Sequence, residues 1–180
     1  MAFEPFIPLR VLSSYSLLEG AIEPKAAVKL AKDRAFPAIA LTDRNGLYSA
    51  MAFAGAARDA GIQPIIGCTL GVRRSADGPL DWLVLLVQDE AGWLNLCQLV
   101  SAAHLDRPLE LDPHVTLEDL AGNTAGLIAL TAAGEGALAR LLSEGRHEAA
   151  AEYCERLEQL FPARLYIELA RRGEAVEQAA

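Results

Sequence analysis

Pro37-Ala38-Ile39-Ala40-Leu41-Thr42-Asp43 is a short apolar run that ends on a carboxylate. Its length and lack of alternation fit a strand of a parallel sheet, buried on both faces, whose carboxyl end presents a polar group. Upstream, residues 6–12 read as a first strand, with Pro8 near its start, where a missing donor does least harm. Between the two, Pro24 suits a first helical turn and Ala27, Leu30 and Ala31 recur at helical spacing, so the region forms a β-α-β unit. Downstream the alternation continues. Leu47, Ala50, Met51, Ala54 and Ala57 form a helical stripe stopped by Gly61, and residues 63–72 make a third strand. A turn-rich link, residues 73–79, leads to the strand 82–87, and Trp93, Leu96, Cys97 and Val100 define another helix. Residues 106–115 carry two prolines and read as a loop, followed by a short helix that Thr116 caps with Asp119 three residues on. Residues 126–132 are a further strand, Ala150, Tyr153, Cys154, Leu157 and Leu160 the last helical stripe, and residues 165–169 the last strand. The pattern predicts an α/β fold, either a barrel or a doubly wound sheet, with function at the carboxyl ends of the strands.

Composition narrows the classes. A chain of 180 residues with 52% hydrophobic and 22% charged residues supports one well-filled core. Sixteen Lys and Arg against 24 Asp and Glu give a net charge of -8, which argues against strong direct binding to a phosphate backbone. No apolar run is long enough to cross a bilayer, and residues 1–5 lack the basic and apolar regions of a signal peptide, so a cytoplasmic protein without membrane contact is expected. Cys68, Cys97 and Cys154 lie far apart in apolar segments, as reduced thiols do, and His104, His114 and His147 show no paired ligand spacing.

Collecting the strand ends gives Arg10, Leu12 and Glu19 after the first strand and Asp43 and Arg44 after the second. Thr69 lies in the third, Trp82 opens the fourth, and Arg171 and Arg172 follow the last. An always-charged guanidinium has no lone pair for a metal, and this set contains no imidazole. Glu19 and Asp43 suit acid/base chemistry by type, but carboxylates in loops beside Arg are more often structural ion pairs. Neither a G-x-S-x-G elbow nor a Walker A lysine occurs. The residues alone therefore assign no catalytic, cofactor-binding or metal-ligating group.

The same residues carry a family likeness. The run from Leu9 to Ala21, Leu-Arg-Val-Leu-Ser-Ser-Tyr-Ser-Leu-Leu-Glu-Gly-Ala, resembles the opening of the polymerase and histidinol phosphatase (PHP) domain, most closely the copies that begin bacterial replicative DNA polymerase III alpha subunits. The segments 37–43, 60–68, 92–96, 126–130 and 166–169 resemble that family in order and spacing. The resemblance implies a distorted seven-stranded β/α barrel with, in active members, a cluster of metal ions held by histidines and acidic residues. It also implies that residues 1–180 are the N-terminal portion of such a domain, with the last barrel repeats and the polymerase domains beyond Ala180. An incomplete barrel of that kind leaves an edge strand and apolar surface exposed.

Measured against the family pattern, the ligand positions have changed. Arg10-Val11-Leu12 stands for H-x-H, Glu19 for the aspartate of D-G, Arg44 for the histidine after T-D and Thr69 for the acid after G-C. Trp82 and Arg172 replace two further histidines. Removing cations while keeping carboxylates leaves negative charge uncompensated, so Arg10, Arg44 and Arg172 are expected to pair with Glu19 and Asp43 at the barrel mouth, with Leu12 and Trp82 filling space. The resemblance thus implies an inert structural module with no cofactor, a brace for the remaining domains of the alpha subunit and a docking surface for the proofreading exonuclease subunit. A metal-dependent phosphoesterase or 3′–5′ exonuclease, and a stand-alone relative with its own partner, are the alternatives.

Overall fold

The computed structural model describes residues 6–75 and 78–170. In chain order it contains α1 (Pro24–Asp33), β1 (Ala38–Leu41), α2 (Ala50–Ala60), β2 (Gln63–Arg73), β3 (Leu80–Val87), α3 (Glu90–Leu105), β4 (Val115–Thr116), α4 (Leu117–Leu120), β5 (Leu127–Leu130), α5 (Ala137–Ser143), α6 (His147–Leu160) and β6 (Leu165–Tyr166). The fold is α/β, with one open, mixed, six-stranded sheet in the order β1-β2-β3-β5-β6 and β4 alongside β2. Arg172 and its neighbour Arg171 lie outside the described residues.

Several local expectations have a direct physical cause. Pro24 occupies the first turn of α1, where its absent N–H is not missed. Gly61 ends α2 in the left-handed conformation at φ 74°, which a residue with a Cβ adopts at a cost. Thr116 and Asp119 form a reciprocal capping box on α4.

Other expectations are corrected. The segment 6–12 is not a ladder strand. It runs beside β1, accepting hydrogen bonds from Ala40 N at Pro8 O and from Thr42 N at Val11 O, both 2.8 Å. The sheet is also not uniformly parallel, because β3 is antiparallel to both β2 and β5. The link between β2 and β3 is far shorter than the dozen or more residues that a parallel crossover needs, so the chain turns back as a hairpin. The last strand is shorter than its apolar run, and α5 is a helix that sequence periodicity did not single out.

The reversal of β3 matters for the site. Its first residues lie level with the carboxyl end of β2, Trp82 opposite Gly71, while the carboxyl end of β5 reaches Val84. Trp82 therefore stands at the same end of the sheet as the carboxyl ends of β1, β2, β5 and β6. Alternation along β3 divides the core: Leu83 and Leu85 join the cluster under α3, α5 and α6, while Val84 and Leu86 pack with Ala40, Leu130 and Ala132 on the opposite face. Trp82 shares that second face. A third cluster, built on Phe53, Ile39 and Leu41, joins α1 and α2 to β1.

Cys68 lies in the first cluster with no exposure, its Sγ donating to Asp43 O at 3.3 Å. Burial pushes its thiol up to about 12, so it stays protonated and poorly nucleophilic. Cys97 and Cys154 are partly exposed and unbridged. A thiol-reactive reagent at pH 8 is expected to modify Cys97 and Cys154 in the native protein and Cys68 only once denaturant is added, read by mass spectrometry of peptides. Modification of Cys68 at the same rate as the other two would contradict this packing.

Candidate functional site

The site is assembled at the carboxyl end of the sheet from six parts of the chain: the loop 10–19, residues 43–49 after β1, Thr69 in β2, Trp82 in β3, the turn after β5 and Glu168 after β6. Asp43, just past β1 and 2% exposed, is its internal anchor. Its carboxylate accepts hydrogen bonds from Ser13 N and Ser13 Oγ, both 2.7 Å, from Ser16 Oγ at 2.7 Å and from Ser49 Oγ at 2.9 Å. These donors come from the loop after the first segment and from the residue that precedes α2. The Asp43 carbonyl accepts from Thr69 N at 3.0 Å, and Thr69 Oγ1 donates to Thr42 O at 2.8 Å, which fastens β2 to the same point. Thr69 is thus a buried strap between strands.

Around this anchor lies a shell of ion pairs. Arg44 directs Nε and Nη2 to Glu19 Oε2, at 2.9 and 2.6 Å, and Nη2 also reaches Glu135 Oε2 at 2.9 Å. Its guanidinium lies over the Trp82 ring, 4.2 Å from the centroid, a cation–π contact worth about 0.5–2 kcal/mol. Arg10 pairs with Glu135, with Glu168 at 3.2 Å and with Ala132 O at 3.3 Å. The two arginine side chains are 12% exposed, whereas Glu19 and Glu135 are 46% and 40% exposed. Two guanidiniums therefore sit inside a rim of three carboxylates. Leu12, half-buried, supplies no polar atom.

Glu135 reaches the cluster through a strained turn. Ala132, which precedes the 3-10 turn Ala133–Glu135, and Ala133, its first residue, both hold positive φ, 58° and 46°, conformations that cost non-glycine residues about 1–3 kcal/mol each. Gly136 follows because a Cβ there would collide with Thr131 O. Burial raises the Glu135 carboxyl, but the hydrogen bonds and charges of Arg44 and Arg10 outweigh it and hold the group below its ordinary value of 4.5.

The structure thus joins Arg10, Glu19, Arg44 and Trp82 into one constellation, with Asp43 and Thr69 beneath it. The expectation that Asp43 pairs with a guanidinium is corrected: three serines occupy its oxygens, and Glu135 and Glu168 take the arginines instead. Sequence reasoning missed both glutamates. Glu135 follows the carboxyl end of β5, and Glu168 follows β6 once that strand is shortened to its true length, so the strand-end rule would have found each.

The cluster of metal ions implied by the family resemblance does not fit this donor set. Arg10 and Arg44 fill the space between the carboxylates and supply no lone pair. Among the described residues, no group of three or more His, Cys, Asp and Glu is placed to hold an ion. His104 and His114 instead contact backbone carbonyls, Asn45 O and Asp112 O, each at 2.7 Å.

With this geometry in place, comparison with known proteins defines the class: the chain belongs to the PHP domain family, whose pattern matches residues 8–172. It is 39% identical to DNA polymerase III subunit alpha of Caulobacter vibrioides across 97% of this chain and 16% of that protein. It is 34% identical to the subunit of the same name from Rickettsia bellii across 96% of this chain and 15% of that one. The chain thus spans about one sixth of the length of these relatives. A solved amidohydrolase from Chromobacterium violaceum superposes with a TM-score of 0.45, at 28% identity over 54% of this chain and 33% of its own. Among the described residues no helix is long and apolar enough to cross a membrane.

Two outcomes test the site. Asp43→Ala leaves four donors without their acceptor and is expected to destabilise the protein by about 3 kcal/mol or more in urea unfolding; a loss under about 1 kcal/mol would show that the carboxylate is not the anchor. The lowered Glu135 value also sets a pH dependence. Below its ordinary value the unfolded chain takes up a proton that the folded chain resists, so the stability Glu135 contributes is present above pH 4.5 and lost as pH falls through the lower folded value. Urea titrations from pH 6 to pH 3 should show a shallower acid loss for Glu135→Gln than for the parent, and equal slopes would remove the pairing.

Proposed function

We propose that this chain is the N-terminal portion of the PHP domain that opens a bacterial replicative DNA polymerase III alpha subunit. In this reading it works in the cytoplasm as a catalytically inert brace for the polymerase domains and a docking surface for the proofreading exonuclease subunit. Similarity to alpha subunits over nearly the whole chain supports the placement. The observation that carries the inert role is the run of ion pairs Glu19–Arg44–Glu135–Arg10–Glu168, which occupies the position where hydrolytic relatives are expected to hold metal ions. A hydrolytic centre needs a cation to polarise phosphate and lower the pKa of bound water. Here a divalent ion meets two fixed positive charges, each unit-charge pair repelling by about 4 kcal/mol at 4 Å in a protein-like dielectric. The net charge of -8 agrees with a module that leaves the DNA backbone to other domains.

The test is metal analysis of the purified chain after dialysis against manganese and zinc, with a phosphodiesterase assay on a chromogenic diester. We expect substoichiometric metal and hydrolysis no faster than buffer. Stoichiometric metal with activity that Glu19→Ala abolishes would establish the hydrolase instead. The placement is tested by the reading frame that carries the chain, which should continue into polymerase domains; continuation into an unrelated domain would overturn it.

A further inference from the structure

The chain contains three lysines, Lys25, Lys29 and Lys32, and all three lie on α1. Their spacing, i, i+4 and i+7, places them on one stripe. That stripe forms a wall of a groove between α1 and α2, whose opposite wall carries Met51, Gly55 and Ala56. All three lysines are exposed, and among the described residues none is paired with a carboxylate. Asp59 is the one acidic residue that lines the groove. In a protein of net charge -8, this concentrates unpaired positive charge along one apolar trough.

The trough is itself unfilled. Met51 is 81% exposed, and a Cβ added at Gly55 would meet nothing within 4 Å. The floor is firm, because Val28 is 2% exposed and packs with Phe53 and Ala57 in the core that joins the two helices to β1. α1 spans 10 residues, about 15 Å, so an occupant needs about three helical turns to follow the lysines.

We propose that the α1–α2 groove docks an acidic amphipathic helix of a partner protein. Its apolar stripe would lie on Met51, Gly55 and Ala56, and its Asp or Glu side chains would face Lys25, Lys29 and Lys32. The chemistry selects this occupant. A third helix settling between two packed helices reads out as anchors at i, i+3, i+4 and i+7, and the small residues at 55 and 56 permit close approach. A phosphate backbone would use the lysines and gain nothing from the apolar wall. The proposal stands on the groove alone and is independent of the assignment to a polymerase subunit.

A display library of 18-residue helical peptides selected on the intact chain tests it. Two variants report separately: Lys25→Glu with Lys29→Glu and Lys32→Glu reverses the charge, and Gly55→Leu fills the trough without changing it. The expected winners are acidic, with apolar residues at helical spacing, and bind at least tenfold more weakly to both variants, read by fluorescence anisotropy. Circular dichroism and urea midpoints confirm that each variant is folded, and the uncharged Met51→Gln, which makes the apolar wall polar, serves in place of Gly55→Leu should that variant lose its fold. Failure to enrich acidic amphipathic peptides, or winners indifferent to either variant, would overturn the proposal. So would a 20-nucleotide single strand that binds more tightly than any winner and ignores Gly55→Leu, or a dimer in sedimentation that the lysine reversal dissolves.

Discussion

One buried carboxylate holds the carboxyl end of the sheet together. Asp43 takes four donors from three serines in two segments far apart in sequence, and its own carbonyl is bound to Thr69 N. A carboxylate removed from water is tolerable only when its lone pairs are occupied, and here each oxygen has two partners. Ser16 extends the effect outward: its hydroxyl donates to Asp43 and accepts from Arg44 N at 3.1 Å, while Ser16 O accepts from Glu19 N at 3.1 Å. The main-chain positions of Arg44 and Glu19 therefore depend on a group that touches neither side chain.

The outer shell follows a different logic. Glu19 and Glu135 are exposed enough for solvent to screen their ion pairs, which puts each such contact at roughly 0–1 kcal/mol of net stability. The arginines are the constrained partners, because a guanidinium that is 12% exposed cannot shed its charge and must be matched. The ion pairs are thus a condition for keeping Arg10 and Arg44 in place more than a source of folding energy. Trp82 contributes a flat apolar surface under Arg44, available only because β3 runs against its neighbours and begins at this end of the sheet.

Much of this was legible in the sequence. The apolar run ending at Asp43, the proline opening α1, the glycine closing α2 and the capping box at Thr116 each rest on local physics, and each stands where its residue type implies. Strand-end reasoning reached Arg10, Glu19, Arg44 and Trp82. What it could not read was convergence. Ser13, Ser16 and Ser49 are ordinary loop residues in a sequence, and only the fold brings them onto Asp43, so residue type alone suggested an arginine partner. Glu168 was hidden by an overlong last strand, and Glu135 by a turn in which two alanines adopt positive φ, a conformation their identity argues against.

These features bear on where such a module meets other molecules. In α/β folds the carboxyl ends of strands usually receive the ligand, because side chains there point into an open crevice. In this chain that position is largely filled from within: two guanidiniums, three carboxylates and an indole pair with one another and both oxygens of the anchor beneath them are occupied, while Arg44 Nη1 and Glu168 Oε2 are left without a hydrogen-bond partner among the described residues. The unmatched lysine charge lies instead on α1, outside the sheet and beside a trough with an empty wall. Charges already paired with one another gain little electrostatically from another molecule, whereas three unpaired ammonium groups along an apolar groove gain both charge neutralisation and burial. The internal pairing of charge at the strand ends and the unpaired charge on the outer helix are two sides of one distribution of charge across the sheet.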